Sequence, residues 1–253
     1  MNVAGDVALV VGGTSGLGLA TARRLLEDGC RVVVMGREPE RAAKAGAELG
    51  GVPVVVGDVA DEADVRTAVE TAARLGRLGV AVNCAGTARM GRVLGRSGVL
   101  PLAEFAEVVH ANLTGTFNLV RLAAEEMARN AVRDGDRGVI VCTASVAAFD
   151  GQEGQAAYAA SKAGVVGMTL PLARDLARHA IRVVTVAPGP FETPMLAGAP
   201  QEVREALLRG TVHPGRLGGP EDFASLVAHI VDNPMLNGET IRLDGAMRLG
   251  LLR

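Results

Sequence analysis

The chain holds a single tyrosine, Tyr158, and of its 26 basic residues only Lys44 and Lys162 are lysines. Tyr158 and Lys162 stand four residues apart inside an amphipathic stretch, Gln155–His179, and that spacing puts both on one face of a helix. A phenol titrates near pH 10 and is a poor base at neutrality, but an adjacent ammonium stabilises its phenolate. The pair therefore suits proton exchange with an alcohol or ketone oxygen while a hydride moves to or from a nicotinamide. Ser145 closes an apolar run, Val139-Ile140-Val141-Cys142-Thr143-Ala144-Ser145, where a hydroxyl can hold the substrate oxygen beside the phenol. Asn112 lies in His110-Ala111-Asn112-Leu113 within a long helical pattern; alone it would suit a kink or a buried amide.

A second constellation begins at residue 12. Gly12-Gly13-Thr14-Ser15-Gly16-Leu17-Gly18 follows the first apolar run and precedes the first amphipathic one. In a chain with 33 glycines such a pattern arises readily by chance, so its placement carries the information. Between a strand and a helix, the glycines allow a sharp turn and close approach of the backbone to a pyrophosphate seated on the helix N-terminus. Gly12, Thr14, Ser15, Gly16, Leu17 and Gly18 are accordingly expected to touch a dinucleotide. Asp58-Val59 follows the third strand candidate, where the carboxylate can accept from an adenine amino group. Asn83-Cys84-Ala85-Gly86 follows the fourth, where Asn83, Ala85 and Gly86 let a ribose approach the backbone. No G-K-[ST] follows a glycine loop, which argues against a nucleotide triphosphatase, and no G-x-S-x-G elbow points to an α/β-hydrolase.

These residues need elements to hold them. Apolar, β-branched runs at Val7–Val11, Arg31–Met35, Val52–Val56, Val80–Asn83, Gly138–Thr143, Ile181–Ala187 and Thr240–Leu243 read as strands covered on both faces. Amphipathic stretches at Leu17–Asp28, Pro39–Leu49, Asp61–Leu75, Leu102–Arg133, Gln155–His179 and Pro220–Val231 read as helices between them. Strands alternating with helices imply right-handed crossovers and a doubly wound, mostly parallel sheet: one α/β Rossmann-like domain spanning residues 1–253. The proline- and glycine-rich segment 188–220 is expected to form a loop-rich lid with one short helix. Net charge is −2, so no basic field recruits nucleic acid. Cys30, Cys84 and Cys142 lack the paired spacing of a zinc site or disulfide framework. No metal, membrane or nucleic-acid partner is expected, and the location expected is cytoplasmic.

In order and spacing, the glycine turn, Asp58, Asn83-Cys84-Ala85-Gly86, Asn112, Ser145, Tyr158-x-x-x-Lys162 and Pro188-Gly189 resemble the short-chain dehydrogenase/reductase family over essentially the whole chain. The resemblance implies a seven-stranded sheet and usually a homotetramer. It makes Tyr158 the acid/base and Lys162 both the modulator of the phenol and a ligand of the ribose. Ser145 would orient the substrate, Asn112 would hold a water in a proton relay, and Pro188, Gly189 and Thr193 would meet the nicotinamide. Thr143–Phe149, Gly154–Tyr158 and Asn237–Ala246, with an insert at Thr87–Pro101, look like the family's 3-hydroxyacyl-CoA dehydrogenase branch. The implied substrate is a 3-hydroxyacyl-CoA-like or other bulky apolar secondary alcohol. Alternatives are a hydroxysteroid or small-ketone reductase, or an idle dinucleotide-binding scaffold. Arg89, Arg92 and Arg96 in the insert are expected to meet CoA phosphates. One departure matters for the cofactor: Gly36-Arg37 stands where NAD-using relatives carry an aspartate. Glycine leaves room for a 2′-phosphate and arginine can pair with it, so NADP(H) is favoured, with NAD(H) the alternative.

Overall fold

A computed structural model describes residues 3–96, 98–198 and 200–250. The strands of its main sheet are β1 (Val7–Val11), β2 (Arg31–Gly36), β3 (Val54–Val56), β4 (Leu78–Asn83), β7 (Gly138–Thr143), β8 (Ile181–Pro188) and β9 (Thr240–Leu243). They lie in the order β3-β2-β1-β4-β7-β8-β9, every neighbouring pair parallel. The chain runs outward from β1 through β2 to β3, then returns to place β4 on the other side of β1. The topological switch therefore falls between β1 and β4, where ligands bind in open α/β sheets.

Burial follows strand position. β1, β4, β7 and β8 are buried throughout, whereas β3 and β9, at the two edges, are only partly covered. Alternate residues divide two cores, as a period of two requires. Val7, Leu9 and Val11 face α3 (Glu62–Leu75), α5 (Gly115–Met127) and α6 (Ala156–Ala177). Ala8 and Val10 face α1 (Gly16–Glu27) and α9 (Pro220–Asp232). The remaining helix on β2 and β3 is α2 (Pro39–Glu48).

Three segments are more broken than their patterns suggest. The stretch expected to be one helix over Leu102–Arg133 is α4 (Leu102–Val109), a π-helical turn (His110–Thr114) and α5, which stops at Met127. The insert Thr87–Pro101 carries a small antiparallel hairpin, β5 (Leu94–Gly95) and β6 (Gly98–Val99). Segment 188–220 holds two short helices, α7 (Pro194–Ala197) and α8 (Gln201–Gly210), instead of one.

At the end of the sheet away from the crevice, Arg182 of β8 is 5 % exposed. It donates to Asp136 at 2.8 Å and to the carbonyls of Ile230, Val231, Asn233 and Leu236 at 2.8–3.2 Å. One guanidinium thus caps the last turn of α9, whose carbonyls have no helical partner. Breaking a buried pair of this kind leaves its partners unsatisfied at a cost of about 3–5 kcal/mol. Arg182→Met should lower the melting temperature by on the order of 10 °C, measured by circular dichroism, with nucleotide affinity unchanged in whatever fraction remains folded.

Candidate active site

At the carboxyl end of β1, Gly12 turns with φ +77°. A methyl group added there would stand 2.5 Å from the Ala85 nitrogen. Only glycine lets the first turn approach the Asn83–Gly86 turn so closely, and this closeness forms the floor of the crevice. Ser15 precedes α1 in extended conformation with no side-chain cap, so the helix opens with free amide donors facing the crevice. Backbone approach, uncapped helix start and glycine turn fit a dinucleotide pyrophosphate. Thr193 packs over the turn, 3.3 Å from a Cβ built at Gly16, and so brings the start of α7 onto it.

The second turn is built by buried amides. Asn83, 1 % exposed, donates to the Thr116 hydroxyl at 2.7 Å and accepts from the Ala85 amide at 3.1 Å. Its side chain is thus spent on shaping the turn, and only its backbone faces the crevice. Thr116 in turn donates to the Asn112 carbonyl at 2.6 Å. Asn112 is fully buried; it accepts from the Thr87 amide at 2.8 Å and donates to the Thr87 carbonyl at 2.9 Å and to the Ser161 hydroxyl at 3.0 Å. The π-helical turn that carries Asn112 widens the backbone where these bonds are made, a common feature of functional sites. Asp58 receives the Ala60 amide at 2.9 Å, while Asn118 bonds the Val59 and Asp61 carbonyls at 3.0 Å each and so holds the Asp58–Asp61 turn.

Lys162 lies one turn into α6 from Tyr158, as the spacing predicts. The residue is 4 % exposed, and its ammonium donates to the Thr143 carbonyl at 2.8 Å and sits 5.9 Å from the centre of the Tyr158 ring. Gly86 lies against the same groups: a methyl there would stand 3.0 Å from Asn112 Oδ1 and 3.4 Å from Lys162 Nζ. Burial pushes the Tyr158 phenol above its ordinary value, and a hydrogen bond with Ser145 works in the other direction. Ser145 begins a short 3₁₀ turn (Val146–Ala148), and its hydroxyl accepts from the Ala147 amide at 3.1 Å. The structure therefore brings Asn112, Ser145, Tyr158 and Lys162 together beside the glycine turn.

Other expectations meet obstacles. The space beside Gly36 is filled by Thr14, whose hydroxyl and methyl would lie 2.6 Å from a Cβ there. Arg37 is largely exposed and faces Asp58 at 3.9 Å. Arg89 pairs with Glu107 at 2.7 Å and Glu104 at 3.8 Å, and Arg92 pairs with Glu153 at 2.8 Å, so carboxylates already hold two of the three guanidinium groups expected to meet phosphate. Sequence reasoning missed Thr116, Asn118 and Ser161. The first was open to inference, because Thr116 follows Asn112 by one helical turn, from which a hydroxyl reaches back to a freed carbonyl.

The matching family model is that of the short chain dehydrogenases, over residues 6–204. The chain belongs to that family. It is thereby an oxidoreductase that uses a nicotinamide cofactor. It is 51 % identical to a 3-hydroxyacyl-CoA dehydrogenase type-2 of Drosophila melanogaster, over 96 % of this chain and 97 % of that protein. A human protein of the same name is 49 % identical over 98 % and 97 %. The crystal structure of 3-hydroxyacyl-CoA dehydrogenase type-2 from Mycobacterium avium superposes with a TM-score of 0.93 at 41 % identity, covering 97 % of each chain. Among the described residues, no helix is long and apolar enough to cross a membrane.

The buried ammonium links the site to stability. Burial lowers Lys162 from its ordinary 10.5 to about 8. Between those values the unfolded chain binds more protons than the folded one, so this group's contribution to stability rises with pH through that window. Cys30, Cys84 and Cys142, pushed up to about 12 by burial, act in the opposite sense above pH 9. Replacing the lysine leaves the Cys30 effect in place and removes the ammonium's lowering influence on Cys84 and Cys142. At pH 7 the desolvated ammonium costs about 3 kcal/mol, against about 2 kcal/mol for its charge-assisted bond to Thr143. Lys162→Met should therefore melt roughly 3 °C higher than the unaltered protein at pH 7. The gap should close between pH 8 and 10.5; a constant gap in calorimetry over that range would mean that the ammonium is not strained by burial.

Proposed function

We propose that the protein interconverts a 3-hydroxyacyl thioester and its 3-keto form, with Tyr158 as the acid/base, Ser145 orienting the substrate oxygen, and Lys162 and Asn112 serving the proton relay. The observation that carries this reading is the convergence of Ser145 and Lys162 on one half-buried phenol, at the mouth of a glycine-turn crevice. The names carried by the relatives described above supply the substrate class. When bound, the cofactor delivers or accepts the hydride. Gly12, Gly16 and Gly18, with the Asn83–Gly86 turn, would hold its phosphates and ribose, and Pro188, Gly189 and Thr193 its nicotinamide end.

In the reducing direction, the substrate ketone accepts hydrogen bonds from Ser145 and Tyr158. Burial keeps the phenol protonated at neutral pH, ready to give its proton as charge develops on that oxygen. The phenolate left behind faces the Lys162 ammonium, whose attraction strengthens in a site closed to water. The side chain of Asn112 is committed to Thr87 and Ser161, so its part in a relay would fall to the lone pair of its backbone carbonyl that the Thr116 hydroxyl leaves free. Segment 188–220 would close over the substrate, already resting on the glycine turn through Thr193. Of the insert's arginines, Arg96 has no carboxylate pair among the described residues, which supports assigning it the contact with a CoA phosphate. The family suggests a homotetramer, and three unpaired thiols suit a reducing, cytoplasmic setting.

Tyr158→Phe should lower kcat on acetoacetyl-CoA by at least ~10²-fold with nucleotide affinity nearly unchanged. Wild-type turnover by this variant would end the assignment.

We infer NADP(H) as the preferred cofactor, with NAD(H) the alternative. The support is local: β2 ends without a carboxylate, and Arg37 is exposed at the rim with only a loose partner in Asp58. A charge-assisted bond to a 2′-phosphate is worth about 1.5–3 kcal/mol, so NADPH should exceed NADH by at least ~10-fold in both binding and kcat/KM. Reversal requires three changes, because an aspartate at Gly36 would collide with Thr14: Thr14→Ala, Gly36→Asp and Arg37→Leu together. Equal binding of the two nucleotides by the unaltered protein, in a fluorescence titration, would remove the role given to Arg37.

A further inference from the structure

The segment joining Ser145 to Tyr158 is irregular. After the Val146–Ala148 turn the chain runs through Phe149, Asp150, Gly151 and Gln152 before α6 begins at Ala156. Its own hydrogen bonds are short-range: the Phe149 and Asp150 amides both donate to the Val146 carbonyl, and the Gln152 amide donates to Gln155 Oε1. Nothing in this pattern fixes the loop against the sheet, yet it must hold the Ser145 hydroxyl at the phenol.

External anchors reach it from two sides. On the insert side, the Gly91 amide donates to the Gly154 carbonyl at 2.9 Å and Arg92 pairs with Glu153. Both side chains of that pair are more than half exposed, where an ion pair contributes little. On the other side stands Arg242, in the edge strand β9. Its guanidinium donates to Asp150 at 2.6 Å, to Asp244 at 2.8 Å and to the Met247 carbonyl at 3.1 Å, and it lies 5.1 Å from the centre of the Phe149 ring. The side chains of Arg242 and Asp150 are each only 20 % exposed. A shielded, multiply bonded cation that also covers an aromatic face holds its partners far more firmly than a solvated pair. The Asp150 carboxyl is accordingly kept below its ordinary range, chiefly by its bond to Arg242.

We propose that Arg242 is a positioning residue for catalysis: through Asp150 and Phe149 it fixes the turn that aims the Ser145 hydroxyl at Tyr158. It touches no reacting group. The Asp244 and Met247 bonds anchor the guanidinium to its own strand end, which leaves the Asp150 bond as the arm that reaches the site. The same contacts couple the carboxyl-terminal segment to the loop, for Gln152 donates to the Gly250 carbonyl at 2.8 Å.

The inference rests on the assignment of Ser145 and Tyr158, and the sole tyrosine supplies a test that does not depend on turnover. Protein labelled with ¹³Cζ-tyrosine gives one resonance, that of Tyr158, and Ser145→Ala marks the shift that follows loss of the serine bond. Asp150→Asn spares the anchorage of Arg242 to Asp244 and Met247, so it tests the arm without loosening the strand end. Asp150→Asn and Arg242→Gln should both move the resonance in the direction of Ser145→Ala. With acetoacetyl-CoA each should lower kcat about 10-fold, with nucleotide affinity unchanged, and the double variant should be no worse than either alone. Arg242→Lys should recover part of the loss. A resonance that stays at the wild-type position in both variants while Ser145→Ala shifts it overturns the proposal, as does additive loss in the double variant. If the unaltered protein fails to reduce acetoacetyl-CoA, the substrate reading fails, and the resonance still decides the role of Arg242.

Discussion

Burial of the Lys162 ammonium is the constraint around which the site is organised. An ammonium taken out of water is costly, and it persists only where bonds and a functional gain offset that cost. Here one bond ties it to the Thr143 carbonyl, at the end of a central strand, and so sets the depth at which α6 starts against the sheet. Tyr158, one turn earlier on the same helix, is thereby placed at the crevice mouth. The Asn83–Gly86 turn must then pass beside the ammonium without a side chain in the way, which Gly86 permits. Move the ammonium outward and the phenol, the serine and the ribose-side turn lose their common reference point.

Rigid and irregular parts divide the work. The interior strands supply fixed ends, packed on both faces by aliphatic side chains that admit little adjustment. Regular structure alone would not bring the four groups together, since strand ends and helix starts lie at fixed spacings. The irregular pieces make up the difference: a π-helical turn that carries Asn112, a 3₁₀ turn that starts at Ser145 and a glycine turn at Gly12. The first is held by the Thr116 hydroxyl, the second by the Ser145 hydroxyl on the Ala147 amide, and the third by backbone bonds to the Met35 carbonyl, because an irregular backbone must find its partners outside a ladder.

What could be read in advance follows the same division. Triple-valine runs such as Val32-Val33-Val34 announce a strand buried on both faces, and Tyr158-x-x-x-Lys162 announces a helical pair, because period and burial are written in the residues themselves. The seven parallel strands and the Tyr158–Lys162 pair are legible for that reason, whereas the grouping of Asn112 and Ser145 with that pair comes from the family resemblance. The break at His110–Thr114 was not, since a π turn needs one extra residue per turn and leaves no mark on an apolar pattern. Nor were the partners of charged side chains. Arg89 and Arg92 look available for phosphate in the sequence, and only the approach of Glu104, Glu107 and Glu153 across the fold shows them engaged.

The same limit bears on the adenosine end of the crevice. A glycine at the end of β2 suggests empty space, but space belongs to the fold, and Thr14 occupies it from the turn after β1. Thr14 and Gly36 therefore form one steric unit, in which the hydroxyl of the first lies 2.6 Å from where a β-carbon of the second would be. Arg37 joins the unit through Asp58. If a 2′-phosphate draws Arg37 away from that carboxylate, Asp58 loses a weak, exposed partner, at little cost because the pair is wide and solvated. A carboxylate introduced at Gly36 would have to displace Thr14 first. On the reading proposed for Arg37, discrimination between the two nucleotides would rest on three side chains from three separate loops, and no one position can be read without the other two.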